Sequence, residues 1–95
     1  MSLLARFRRK KEDPEIARRA LLLRQGRIGE ATVLGTDVDG DGNTMLSYSY
    51  TVNGVDYQAF QRLDVEQLLR EHYYLPDARV DLRYDPHRPA NSFVV

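Results

Sequence analysis

Ninety-five residues with no cysteine, 42% hydrophobic content and a formal net charge of zero describe one domain with one modest core, built without disulfides or thiolate metal ligands. The longest aliphatic run, Leu21 to Leu23, is far short of the roughly 20 apolar residues of a membrane span, and no apolar signal segment follows the basic start; the chain reads as soluble and cytoplasmic, or peripheral to a membrane. The neutral total conceals a division: up to Arg27 nine basic residues stand against three acidic ones, a net of +6 that leaves −6 for the remainder, which excludes a surface built wholly for nucleic acid.

Residues Met1 to Glu12 carry Leu3, Leu4 and Phe7 among Arg6, Arg8, Arg9, Lys10 and Lys11. They show neither turn chemistry nor sustained periodicity and read as a mobile basic arm, ahead of a single domain over residues 13–95. Asp13 has the character of an N-cap, Pro14 of a first helical residue and Glu15 of a first-turn acid, so a helix is predicted from Pro14 to Gln25. Ile16, Ala20 and Leu23 fall at i, i+4 and i+7 as its apolar stripe, beside Arg18, Arg19 and Leu22. Gly26 is placed to end it as the residue after the cap.

From Ile28 to Thr36 the period changes to two, with Ala31, Val33 and Gly35 alternating against Thr32 and Leu34: a first strand. The polar loop Asp37 to Asn43 returns the chain into a second strand from Met45. Asn53-Gly54 is the pairing most suited to a type I′ turn, which fixes the next register as Val52 against Val55, Tyr50 against Tyr57, Tyr48 against Ala59 and Leu46 against Gln61. On the third strand, Val55 to Arg62, Phe60 shares a face with Asp56 and Gln58, so a cover or a bulge is expected there.

Asp64 and Gln67 have the spacing of a capping box, with Leu63 and Leu68 as a hydrophobic staple. They open a short inserted helix whose apolar face is Val65, Leu68, Leu69 and Tyr73, ended by Pro76. Val80, Leu82 and Tyr84 alternate with Arg79, Asp81 and Arg83 as a fourth strand. Asp85-Pro86 begins a turn, Pro89 keeps the loop unpaired, and Ser92 to Val95 add a short last strand. The sum is an α+β domain: a small antiparallel sheet of four or five strands curling into a barrel or half-barrel, with an N-terminal helix and one inserted short helix. The tyrosines at 48, 50, 57 and 84 would dominate its core, each needing a hydroxyl partner or a place near the rim.

Ala31-Thr32-Val33 after a glycine, Tyr48-x-Tyr50-x-Val52-x-Gly54-x-x-Tyr57, and Val80-x-Leu82-x-Tyr84-Asp85-Pro86-x-x-Pro89 together resemble a bacterial family catalogued as domain of unknown function 3592, over about Arg27 to Val95. The resemblance implies a small β-rich module, commonly tied to membrane helices and without an assigned activity. This chain departs from it in having Pro76-Asp77-Ala78 where a glycine is expected before the fourth strand, and in carrying no transmembrane helix.

Two stretches could hold a site. Asp37, Asp39 and Asp41 with Gly42 nearby and a carbonyl from Asn43 resemble the first half of an EF-hand calcium loop, but Tyr48 stands where the bidentate carboxylate should be; the alternatives are a plain hairpin loop and a weak calcium site. Arg6, Arg8, Arg9, Lys10 and Lys11, with their apolar neighbours, suit an anionic membrane surface or a solvated terminus, and the lack of interleaved aromatics counts against nucleic acid. His72 and His87, the only histidines, have no nucleophile or third ligand placed by sequence to complete a relay or a metal site. The reading that results is a non-enzymatic binding or interaction module with a protein partner, without cofactor unless calcium binds.

Overall fold

The structure, a computed structural model, describes residues 13–95. Arg6, Arg8, Arg9, Lys10 and Lys11 lie outside the described residues. In chain order the elements are helix α1 (Pro14–Gln25), strands β1 (Arg27–Val38), β2 (Thr44–Val52) and β3 (Val55–Arg62), helix α2 (Val65–Leu69), a 3-10 turn (Glu71–Tyr73), and strands β4 (Arg79–Asp85) and β5 (Arg88–Val94). The five strands form one antiparallel sheet in the order β3-β2-β1-β4-β5. Its length is gained through β1, whose first half pairs with β4 and whose second half pairs with β2; Thr32 faces both Arg79 and Ser49. A register shift between Val33 and Gly35 bends β1 at that crossing, and the sheet curls until it is nearly closed, as a barrel-like α+β domain.

The central hairpin is as the two-residue loop dictates. Asn53 and Gly54 adopt φ of 52° and 82°, and the pairs Val52–Val55, Tyr50–Tyr57, Tyr48–Ala59 and Leu46–Gln61 all form. The inner face gathers Ala31, Val33, Leu46, Tyr48, Tyr50, Val52, Leu82 and Val94 into one buried cluster with Leu63 and Tyr74. Tyr48, Tyr50 and Tyr57 stack in file, with ring centroids 5.9 and 5.2 Å apart. Two of their hydroxyls find partners: Tyr48 shares a 2.9 Å bond with the Ser92 hydroxyl, and Tyr50 donates to the Pro89 carbonyl at 2.6 Å. Burial raises the pKa of the Tyr48 hydroxyl, as it does that of Tyr50.

Several expectations are corrected. Gly26 does end α1, but at φ −77°, not in the left-handed region. Its lack of a side chain serves close approach instead, because a Cβ would stand 2.5 Å from the Leu22 carbonyl oxygen and 3.1 Å from that of Tyr84. Pro89 lies inside β5, which begins at Arg88 rather than near Ser92; β5 is an edge strand, where a missing N–H leaves no ladder bond unmade. Ahead of β4, Asp77 takes φ 72° and so fills the left-handed position where the family resemblance leads one to expect glycine. Phe60 has neither cover nor bulge: β3 pairs with β2 without a shift and the side chain is 72% exposed.

The largest correction concerns both helices, which present to solvent the stripes expected to be buried. On α1, Ile16 and Leu23 are exposed and only Leu22 is buried. On α2 and the turn after it, Val65, Leu68, Leu69 and Tyr73 are exposed, whereas Gln67 is 2% exposed. The cause lies in what each helix is set against.

Candidate functional site

That neighbour is a seam. Strands β3 and β5 are the two ends of the sheet and meet where the barrel would close, yet they share no ladder. Side chains join them instead. The Gln61 amide, projecting from β3, accepts from the Val94 N–H at 2.7 Å and donates to the Val94 carbonyl at 2.9 Å, and Gln67 donates to the same carbonyl at 2.8 Å. A primary amide presents the donor and acceptor of a peptide group, so Gln61 stands in for a strand at this point. Gln67 is held by the capping box of α2, its N–H bonding Asp64 Oδ1 at 2.8 Å while its side chain accepts from the Asp64 N–H at 3.0 Å. This is why α2 buries a glutamine and leaves its leucines outside.

Helix α1 closes the same seam from above. Glu15 holds two arginines, accepting from Arg18 Nε and Nη2 at 2.8 Å each and from Arg19 Nε at 2.6 Å. Thus fixed, Arg18 donates to the Ser92 carbonyl of β5 and to Asn91, both at 2.8 Å, while Arg19 donates to the Arg62 carbonyl of β3 at 2.7 Å and lies over the Phe93 ring. Each guanidinium satisfies an edge carbonyl that a missing strand would have bonded. The Arg18 hydrogen bonds, helped by Arg19, bring the Glu15 carboxyl down to about 2, against the opposing effect of its partial burial. Among the described residues no buried side-chain nitrogen or oxygen lacks a partner.

With its polar face committed to the seam, α1 turns Ile16, Ala20 and Leu23 toward α2. Together with Leu63, Val65 and Leu68 they line a groove of about 590 Å³. Its rim carries Glu15, Arg19 and Asp64, already engaged with one another, and Arg62, whose guanidinium reaches Asp13 at 3.4 Å. A second concavity, on the outer face of the sheet, is polar: Arg79, Thr32, Ser49 and Gln58 form one row across four strands, with Arg79 paired to Glu30 at 2.6 Å and Thr51 bonded to Asp56 at 2.7 Å.

The residues singled out in the sequence are placed differently. Asp39 accepts at Oδ1 from the N–H groups of Asp41 and Asn43, both at 2.9 Å, and at Oδ2 from the Asn43 amide at 3.3 Å; the Asn43 N–H bond is the main reason its pKa is lowered. Asp37 accepts from the Val38 N–H. Among the described residues no three acidic or histidine side chains converge as a metal-holding group. His72 lies edge-on to Tyr73 at 4.5 Å, and His87 donates its N–H to Asp85 Oδ1 at 2.8 Å. The seam residues Glu15, Arg18, Arg19, Gln61 and Gln67 are the set that sequence reasoning missed; a glutamine on the apolar face of β3, opposite Leu46, was the one signal available.

The fold and its surfaces define a small, barrel-like β module closed by a helical clasp. The family described as Domain of unknown function (DUF3592) matches residues 24–95, and the chain belongs to that family. No curated protein and no solved structure matches it.

Proposed function

We propose that the chain is a non-enzymatic interaction module, and that the groove between α1 and α2 receives an amphipathic helix of a protein partner. One observation carries this reading: Ile16, Ala20 and Leu23, spaced as a helical ridge, face Val65 and Leu68 across a concave floor at Leu63, and Val65 is 74% exposed. Apolar side chains so arranged on a small domain mark a binding surface. From Ile16 to Leu23 the ridge is about 10 Å long at 1.5 Å per residue, enough to seat two turns of a partner helix with anchors at i, i+3 or i+4, and i+7. Of the two arginines bordering the groove, Arg19 is bound to Glu15 and Asp64 and Arg62 to Asp13, so the rim offers packing and little net charge.

The experiment is site-specific photo-crosslinking from within the groove, at Leu23 and at Val65, with Thr51 on the outer sheet face as control. The expected outcome is one heterologous product common to both groove positions, absent at Thr51 and lost when Leu68→Asp is added. Products that are the same from all three positions, or none from the groove, remove the reading.

A further inference from the structure

The seam is sealed at one end only. Among the described residues the hydrogen bonds between the parallel strands β3 and β5 are those of Gln61 with Val94, and β3 from Val55 to Phe60 pairs with β2 alone. The two-residue turn makes Val52–Val55 a hydrogen-bonded pair, so odd-numbered residues of β3 direct their backbone groups at β2. Two bonds agree with that parity: Leu63 N–H reaches the Thr44 carbonyl at 2.9 Å, and the Arg62 carbonyl turns outward to Arg19. The N–H and C=O groups of Asp56, Gln58 and Phe60 therefore point away from the sheet. This edge has no proline, lysine or bulge to discourage pairing, whereas β5 has Pro89, a register shift against β4 and the Arg18 cover.

The geometry points to a second copy of this chain as the occupant, through antiparallel pairing of β3 with β3 about a two-fold axis at Tyr57. This reading rests on the open edge and not on the groove. Any axis at a residue of β3 satisfies the parity, and one at Asp56 sets two carboxylates against each other. An axis at Ala59 sets Tyr57 against Gln61, which Val94 already holds, and an axis at Gln58 sets Asp56 against Phe60. An axis at Tyr57 stops short of the seal and is self-complementary along its whole length: Asp56 faces the partner's Gln58 and Gln58 the partner's Asp56, so each carboxylate meets an amide donor. Tyr57 faces Tyr57 of the partner subunit at the end of the file of stacked tyrosines, and Val55 faces the partner's Ala59. Phe60 is brought over the partner's Gly54, covering the exposed ring and the bare turn together.

Sedimentation velocity over a concentration series tests the dimer, and cysteine placement tests the register. The chain has no cysteine of its own, and a non-hydrogen-bonded antiparallel pair sets its Cα atoms about 4.5 Å apart, within disulfide reach. Tyr57→Cys is expected to give a covalent dimer on mild oxidation, well ahead of Ala59→Cys. Gln58→Pro removes an outward N–H and no bond to β2, and is expected to weaken dimerisation at least about tenfold, with the circular dichroism spectrum retained. Four results would overturn the inference: a monomer at every concentration up to about 0.5 mM, cross-linking led by Ala59→Cys, equal cross-linking at both positions, or a dimer indifferent to Gln58→Pro. The proline variant needs no change to the tyrosine file, so the inference stays open to refutation even if Tyr57→Cys folds poorly.

Discussion

The two halves of the β3–β5 seam have the same backbone and opposite surroundings. At the C-terminal half the carbonyls of Arg62 and Ser92 and both backbone groups of Val94 are met by side chains, two from α1 and two amides from β3 and α2. In the N-terminal half β3 offers three outward residues that, among the described residues, pair with no other strand. The difference teaches that closing a small barrel does not require a continuous ladder. A few polar side chains of fixed geometry suffice where they are buried, and an edge left without them becomes the natural place for another chain.

The contrast can be broken most forcefully at Gln61. Gln61→Leu keeps the volume and removes the amide, leaving the Val94 N–H buried and unpaired, and is expected to cost about 2 to 3 kcal/mol in urea unfolding. A smaller loss would mean that β5 can close against β3 by packing alone. Glu15→Gln comes next, at roughly 1 kcal/mol near neutral pH, since both arginines keep their carbonyls but lose the carboxylate that orients them. The pH dependence sharpens this. The Glu15 carboxyl is depressed from 4.5 to about 2 in the folded chain, so its contribution is complete above pH 4.5 and is lost as the pH falls toward 2. The gap between the urea midpoints of the two proteins should accordingly close across that range; a constant gap would remove the clasp as its origin. On the open half Phe60→Thr should shift the midpoint by no more than about 0.5 kcal/mol, measured at a protein concentration where the chain is monomeric. A large effect there would show that Phe60 is packed after all.

What could be read in the sequence follows the range of the interactions involved. The β2–β3 register was fully legible because a two-residue turn and period-two alternation act within neighbouring residues, and the α2 capping box was legible for the same reason. The helix faces were not, since periodicity reveals an apolar stripe without saying whether the stripe is buried. The period places Arg18 and Arg19 beside the α1 stripe, and only the distant carbonyls of Ser92 and Arg62 make them the inner side. Gln67 was read as a capping residue, which it is, but its second bond to Val94 has no local signature. Gly26 ends the helix for another reason than a left-handed φ: a Cβ would crowd the Leu22 carbonyl and stand close to that of Tyr84 in β4, and the second contact is invisible to any local rule.

The Arg18–Ser92 contact spans 74 positions of the chain, which has a consequence for how the protein is made. The β2–β3 hairpin can pair as soon as residues 44–62 are free, whereas the clasp needs α1 and β5 together. During synthesis, therefore, α1 emerges first and waits, its arginines solvated and its apolar stripe uncovered, until almost the last residue of the sheet has left the ribosome. In that interval the nascent chain exposes both edges of an unfinished barrel, and it is the final strand that turns it into a closed domain.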